Sequence, residues 1–101
     1  MQAMASRKEN KRVRFQVTAD PGTEVFVAGS FNGWNPAEFR LKEESFRLKP
    51  GSNLAIYAGV VPVVRGEHEY KFIVNGHWLP DPGNKQQRTN DRGGMNSVLR
   101  A

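Results

Sequence analysis

The two tryptophans of this chain, Trp34 and Trp78, are the residues whose type and setting best suit ligand binding. Trp34 lies in a run of turn-forming residues at positions 30–36, and Trp78 comes shortly after the pair Asn75-Gly76. Because their neighbours are polar, we expect both indoles to be partly exposed, and exposed indoles often mark recognition sites. An indole face matches the flat patch of C–H groups on a pyranose ring, and its negative quadrupole attracts those hydrogens. The tryptophans therefore indicate a carbohydrate-stacking site or, as the alternative, two rings that cap one end of the fold.

The remaining polar residues suit recognition better than catalysis. Lys71 points outward on its predicted strand, where an ammonium can bond to sugar hydroxyls. His68 and His77 lack the spacing of metal ligands, and we interpret Glu67 and Glu69, on one strand face, as solvated acids. The sequence has no cysteine, which excludes disulfides, thiolate metal sites and cysteine nucleophiles. We therefore expect no catalytic activity, no metal and no cofactor.

The net charge of +5 is concentrated near the start of the chain. Residues 1–14 carry five basic residues and one acidic residue, and the rest of the chain is nearly balanced. We interpret residues 1–11 as a disordered, solvated basic tail and residues 12–101 as one domain, with contact of the tail to RNA or a membrane surface as the alternative. The polar start does not resemble a signal peptide, and no stretch is long enough to span a membrane. The sequence thus predicts a cytoplasmic protein that binds neither nucleic acid nor membrane.

The elements that must position these residues are predicted to be short strands, because apolar and polar residues alternate or form brief apolar runs. Asn75-Gly76 is a strong hairpin signal, since both residues tolerate a positive φ. Pro62 should end its strand, form a bulge or lie at a sheet edge. Positions 43–53 and 81–94 are predicted loops. The predicted strands cover residues 11–19, 24–29, 39–41, 54–61, 67–74, 77–79 and 95–100. Short strands joined by Gly/Pro turns predict an all-β sandwich.

Three segments together resemble the family 48 carbohydrate-binding module. They read VFVAGSFNGW at positions 25–34, GEHEYKFIVNGHW at positions 66–78, and DP at positions 81–82. The family includes the glycogen-binding domain of the AMP-activated protein kinase beta subunit and the domains that precede the catalytic barrel of branching enzymes and isoamylases. The resemblance covers residues 12–100. It implies an immunoglobulin-like, early-set antiparallel β-sandwich that binds α-1,4-linked glucan, such as glycogen, starch or a malto-oligosaccharide.

The resemblance also implies roles for particular residues. By position, Trp34 and Trp78 match the stacking tryptophans of the family, and Lys71 matches its hydrogen-bonding lysine. Asn96 matches a binding asparagine that comes before the last strand. Three loop residues are expected to add contacts to the sugar: Asn32, Asn90 and Arg92.

The loop before Asn96 departs from the family pattern. In the kinase members this loop carries a leucine that pushes into the glucan, and here Arg92 or a neighbour takes its place. Some members of the family keep the fold without binding sugar and contact a catalytic domain instead. The alternative function is therefore an interaction module that docks on a catalytic or kinase partner protein. Such a module would show a large apolar patch away from the tryptophans.

Overall fold

The computed structural model describes residues 10–48, 51, 53–90 and 92–101. Asn10 and Lys11, predicted as the end of the basic tail, belong to the first strand, and the rest of that tail lies outside the described residues. No helix among the described residues is long and apolar enough to cross a membrane. The elements in chain order are β1 (Asn10–Ala19), β2 (Val25–Gly29), a 3-10 helix (Ser30–Asn32), β3 (Phe39–Leu48), β4 (Ala55–Val64), β5 (Glu67–Val74), β6 (His77–Leu79), β7 (Gln87–Thr89) and β8 (Met95–Arg100).

The strands form two antiparallel layers that share β3. Strands pair in the order β1-β4-β3-β2-β5-β8-β7, and β6 adds to the side of β5. The first and fifth strands are far apart in this order, yet the ring of Phe15 on β1 lies 5.0 Å from that of Tyr70 on β5. The sheet therefore folds over so that the layer β1-β4-β3 faces the layer β2-β5-β8-β7. This arrangement confirms the predicted all-β antiparallel sandwich.

The core lies between these layers and is built from alternate residues of β1 to β5, which face inward. Val25 and Val27 of β2 and Phe72 of β5 are fully buried, and Phe15 meets Phe72 edge-on at 6.4 Å. Tyr57 of β4 is also buried, but its hydroxyl accepts a hydrogen bond of 2.9 Å from the backbone N–H of Thr23. The polar tip of this tyrosine thus fixes the turn between β1 and β2, while its ring fills the core.

The predicted hairpin at Asn75-Gly76 is confirmed. Asn75 has a φ of 49° and Gly76 a φ of 85°, so both adopt the left-handed conformation that a tight two-residue turn needs. The Asn75 side chain also accepts a hydrogen bond of 3.1 Å from the backbone N–H of Glu24. The turn is therefore tied to the start of β2 as well as joining β5 to β6.

Two predicted loops contain strands. Residues 43–48 were expected in a loop that contains Pro50-Gly51, but β3 continues through Leu48 and pairs with β4, with an irregularity in register after Glu44. Within the predicted loop 81–94, Gln87–Thr89 form β7, whose three polar residues pair with β8 at the sheet edge. In both cases hydrogen bonding to a neighbouring strand decides the conformation rather than the local pattern.

Pro62 lies within β4 and does not end it. It is in register with Arg12 of β1, while the pairing of β3 with β4 extends only as far as Ala58. One side of β4 therefore carries no ladder at Pro62, so the missing backbone N–H costs no hydrogen bond there.

Candidate functional site

An open cleft of about 980 Å³ lies along the outer face of β5, β7 and β8, below the turn that carries Trp34. The cleft brings together six of the seven residues predicted to contact sugar, although they come from five separate stretches of chain. These six are Trp34, Lys71, Trp78, Asn90, Arg92 and Asn96.

Trp34 is positioned by a strained turn. The N–H of Trp34 donates to the carbonyl of Gly29 over 2.9 Å, and both Gly33 (φ 65°) and Trp34 (φ 62°) are left-handed. For a residue with a Cβ, this conformation costs about 1–2 kcal/mol. Asn32 holds the turn instead of lining the cleft, because its Oδ1 accepts from the N–H of Gly29 and its Nδ2 donates to the carbonyl of Asn35. Strain of this kind persists where the surroundings fix a functional side chain.

Trp78 lies next to Trp34 in the cleft. It lies on β6 in register with the buried Ile73 of β5, and the hairpin turn sets its position. The two indole centroids are 6.4 Å apart, and the ring planes are inclined by 46°. Trp78 is 42% exposed and Trp34 is half-buried, so both rings remain accessible to a ligand.

Lys71 extends from β5 next to a small residue on each side. Its neighbour in register on β2 is Ala28, and a Cβ placed on Gly94 would come within 3.5 Å of the Lys71 ammonium. Among the residues that the structure describes, none pairs with this ammonium. Its three N–H donors can therefore bond to hydroxyl groups of a ligand in the cleft.

Asn96 is buried, and its amide is fixed from both sides. Its Nδ2 donates to Oε1 of Glu69 over 2.9 Å, and its Oδ1 accepts from Nδ2 of Asn90 over 3.2 Å. The Oδ1 of Asn90 in turn accepts from the backbone N–H groups of Arg92 and Gly94. Because an amide has two donors and two acceptor lone pairs, Asn96 retains one of each for a ligand. The cleft floor and the loop above it thus form one hydrogen-bonded unit.

Glu67 and Glu69 are not simple solvated acids. One guanidinium nitrogen of Arg88 lies 3.1 Å from a carboxylate oxygen of each glutamate, and Arg100 lies 3.1 Å from the other oxygen of Glu67. The hydrogen bond and charge of Arg88 lower the pKa of Glu67, and the hydrogen bonds to Glu67 and Glu69 raise the pKa of Arg88. A lowered pKa is the reverse of what a general acid needs. Sequence reasoning missed this network because Arg88 reaches the glutamates only through the pairing of β7 with β8.

A second network anchors the chain that leads out of the cleft after β6. The Tyr70 hydroxyl donates to Asp81 over 2.6 Å and accepts from Nδ2 of Asn84, which also donates to the carbonyl of Val98. Burial, with the hydrogen bond to Asp81, raises the pKa of Tyr70. The N–H of Asp81 donates to Oγ of Ser97 over 2.7 Å. These bonds fix the segment between β6 and β7 against the core and so position β7 at the cleft edge.

Neither histidine is arranged for chemistry. His68 lies between two partners, with Nε2 2.7 Å from the carbonyl of Val64 and Nδ1 3.0 Å from Oγ of Ser30. His77 is exposed at the end of the hairpin. Within residues 10–48, 51, 53–90 and 92–101, no three acidic or histidine side chains are grouped closely enough to hold a metal ion.

A β-sandwich that carries two accessible indoles, a lysine ammonium and ordered amides in one open cleft belongs to the class of carbohydrate-binding modules. The sequence profile of one such family, the glycogen recognition site of AMP-activated protein kinase, matches residues 12–101. The chain belongs to this family.

Relatives of this chain include beta subunits of 5'-AMP-activated protein kinase. The mouse beta-2 subunit is 30% identical over 81 residues, which cover 80% of this chain and 26% of the relative. The bovine beta-1 subunit is 31% identical over 78 residues, or 77% of this chain and 24% of the relative. For a pig beta-1 subunit the identity is 30%, over 77% of this chain and 54% of the relative. The chain spans about a quarter of the length of the mouse and bovine proteins.

Proposed function

We propose that this chain binds α-1,4-linked glucan, as glycogen or a starch-like malto-oligosaccharide, without transforming it. The observation that carries the proposal is the pair of accessible indoles, Trp34 and Trp78, 6.4 Å apart in the same cleft as Lys71 and Asn96. Membership in a glycogen recognition family supports the same ligand.

The inclination of the two indoles favours a curved chain over a flat one. Successive glucose rings of an α-1,4-glucan turn relative to each other, whereas those of a β-1,4-glucan form a flat ribbon. Two platforms inclined by 46° can each stack on a ring of the curved chain. A flat ribbon would meet one platform face-on and the other at an angle.

The polar residues of the cleft then form hydrogen bonds with the hydroxyl groups of the glucan. Lys71 supplies an ammonium, and Asn96 supplies one amide donor and one acceptor from a fixed position. Asn90 and Arg92 border the cleft from the loop, where Arg92 contributes a long cationic side chain. Asn32 acts indirectly, because it shapes the turn that presents Trp34.

Titration of the chain with maltoheptaose, followed by tryptophan fluorescence, tests the proposal. We expect a saturable change at micromolar to millimolar sugar, since both tryptophans of the protein lie in the cleft. Cellohexaose, a flat β-1,4 chain, is the control and should bind more weakly. If maltoheptaose produces no response at millimolar concentration, the chain is not a glucan-binding module.

We also propose that residues 12–101 act as this binding domain in the cytoplasm, next to a catalytic or kinase partner. The relatives, which are subunits of a protein kinase, support the partner class. The excess positive charge lies within residues 1–14, so nucleic-acid binding is not part of the proposal. Co-purification of a kinase with the chain from source cells tests the partner, and its absence would contradict it.

A further inference from the structure

The cleft carries more positive charge than a neutral sugar requires. Its lining includes three cationic side chains, Lys71, Arg88 and Arg92, and two carboxylates, Glu67 and Glu69. A neutral glucan offers only hydroxyl groups and ether oxygens, and uncharged amides and hydroxyls bind these at a lower desolvation cost than charged groups do. The excess of cations therefore points to an anionic group on the ligand.

Arginine side chains already neutralise both carboxylates of the cleft. One guanidinium nitrogen of Arg88 lies 3.1 Å from an oxygen of Glu67 and 3.1 Å from an oxygen of Glu69. Arg100 lies 3.1 Å from the other oxygen of Glu67. Two cations thus offset two acids at this edge of the cleft, so neither glutamate is left to balance a further positive charge.

Lys71 and Arg92 are the cations that remain for a ligand. No carboxylate in the described part of the chain pairs with either of them. One loop, at positions 90–94, brings the two residues to the same part of the cleft. It carries Arg92, and a Cβ placed on its Gly94 would come within 3.5 Å of the Lys71 ammonium.

The backbone of this loop is held in place by its own hydrogen bonds. Oδ1 of Asn90 accepts from the N–H groups of Arg92 and Gly94 over 2.9 and 3.0 Å, and the N–H of Asn90 donates to the carbonyl of Gly94 over 2.9 Å. Gly93 supplies the left-handed residue that the tight loop needs, with a φ of 81°. Because the backbone is fixed, only the side chain of Arg92 has to be ordered when a ligand binds.

Lys71 also lies next to one of the aromatic rings. It comes two residues before Ile73, the β5 residue that pairs with Trp78 of β6, so Lys71 and Trp78 are on the same face of the sheet. A glucose ring stacked on this indole is therefore placed beside a cationic side chain.

We propose that the cleft prefers phosphorylated α-glucan, in which Arg92 and Lys71 bind a phosphate monoester on a glucose hydroxyl. Such an ester carries a charge of about −1.5 to −2 at pH 7. A planar guanidinium can donate two parallel N–H bonds to phosphate oxygens, and a lysine ammonium adds a point charge. This inference rests on the proposed glucan binding: the indoles hold the sugar rings, and the two cations add a preference for the charged form.

Ligands with many charges fit the cleft less well. Nucleic acid carries a phosphate at every nucleotide and is bound by surfaces with many cations, whereas only two cations here are free of the glutamates. A uronic acid chain carries a carboxylate on every ring, and some of these would lie beside Glu67 and Glu69, which also line the cleft. Two cations suit a glucan in which only an occasional glucose is phosphorylated.

Isothermal titration calorimetry of the full chain tests the inference. The ligand is maltoheptaose phosphorylated at O6 of its glucose residues, and its control is the same preparation after treatment with alkaline phosphatase. We expect the phosphorylated sugar to bind with a Kd about tenfold lower at low salt. The difference should fall below about twofold at about 1 M salt, where attraction between exposed charges is screened.

The outcomes separate this inference from glucan binding itself. Equal Kd values for the two sugars would overturn the phosphate preference and leave glucan binding intact. If neither sugar binds, the proposed function fails and this inference fails with it. Glucose 6-phosphate should bind far more weakly than the phosphorylated chain, and equal affinity would overturn the inference because the site would then recognise phosphate without glucan.

Variants assign the preference to Arg92, as measured by the ratio of the two Kd values within each variant. Arg92→Gln should reduce this ratio from about tenfold to about twofold, whereas Arg92→Lys should keep it near about fivefold. Lys85→Gln removes an exposed cation that does not line the cleft, so it is the matched control and should keep the original ratio. An unchanged ratio in Arg92→Gln would overturn the role of Arg92 and with it the inference.

Discussion

The two outer faces of this sandwich both depart from the polar exterior of an ordinary β-domain, but in opposite ways. The cleft face presents two indoles whose polar neighbours are tied to one another, with Asn96 held between Asn90 and Glu69. The outer face of β4 presents a short apolar row in which Val60 and Pro62 are exposed, and the exposed cations Arg12 and Arg14 lie beside them on β1. Oriented amides and tilted rings suit a small polyhydroxylated ligand, because each hydroxyl needs a fixed partner. Aliphatic side chains in a row contribute favourable free energy only when another surface covers them and removes them from water.

We expect the largest effect from substitutions that remove the two indole rings of the cleft face. Trp78→Ala and Trp34→Ala should each cost about 1–3 kcal/mol of maltoheptaose binding, by analogy with the stacking of nucleic-acid bases on aromatic side chains. The double variant should bind too weakly to measure by isothermal titration calorimetry.

A matched variant separates the contribution of the Trp34 indole to sugar binding from the cost of its left-handed backbone conformation. Trp34 has a φ of 62°, so Trp34→Gly should be more stable than Trp34→Ala by about 1 kcal/mol while losing the same sugar affinity. Thermal unfolding measures the first quantity and calorimetry the second. If either tryptophan variant fails to fold, the ring is a structural cap and the comparison between the faces fails.

The next effect concerns the hydrogen-bonded unit beneath the cleft. Asn96→Ala should lower the free energy of unfolding by about 1–3 kcal/mol, because it leaves Glu69 and Asn90 without their buried partner. Urea denaturation measures this change. Gln87→Ala on β7, an exposed amide at the same edge, is the control and should change stability little. Equal losses in the two variants would show that the Asn96 network does not stabilise the cleft.

The two faces also differ in how far the sequence predicted them. Asn75-Gly76 and the motifs around Trp34 and Trp78 are local signals, so the hairpin and the aromatic residues were predicted without coordinates. The link from Arg88 to Glu69 spans β7, β8 and β5, and β7 has no apolar pattern of its own. No local pattern could therefore have revealed it.

The exposed outer side of β4 was hidden for a related reason. A strand that is apolar on both sides predicts burial on both sides, and only the strand order shows that the outer side of β4 is uncovered. For the same reason, the continuation of β4 through Pro62 depends on its position beside β1 alone. Face-specific features thus depend on which strands become neighbours.

A smaller effect is expected from a substitution designed to raise the affinity of the cleft for maltoheptaose. The family resemblance places the leucine of the kinase modules at Arg92 or a neighbouring position. Since Arg92 borders the cleft, an aliphatic side chain there would exchange a solvated cation for apolar contact with the glucan. Arg92→Leu should strengthen maltoheptaose binding by about 1 kcal/mol, or roughly fivefold in Kd. Arg92→Gln, which removes the charge but keeps a polar side chain, is the control. Weaker binding by the leucine variant would mean that Arg92 itself bonds to the sugar.

The smallest effect is electrostatic and confined to the edge of the cleft face. Arg88 lowers the pKa of Glu67 from its ordinary value of 4.5, so this pair stabilises the fold above about pH 4.5. The contribution is lost as the pH falls through the lowered pKa, because protonation of Glu67 removes its charge. Arg88→Met should therefore shift the Glu67 pKa upward, as measured by carbon-detected NMR titration of the carboxyl group. Lys85→Met, a control on an exposed cation that precedes β7, should leave that pKa unchanged. An unshifted Glu67 in the Arg88 variant would show that the cation bridging the two glutamates does not organise this edge of the cleft.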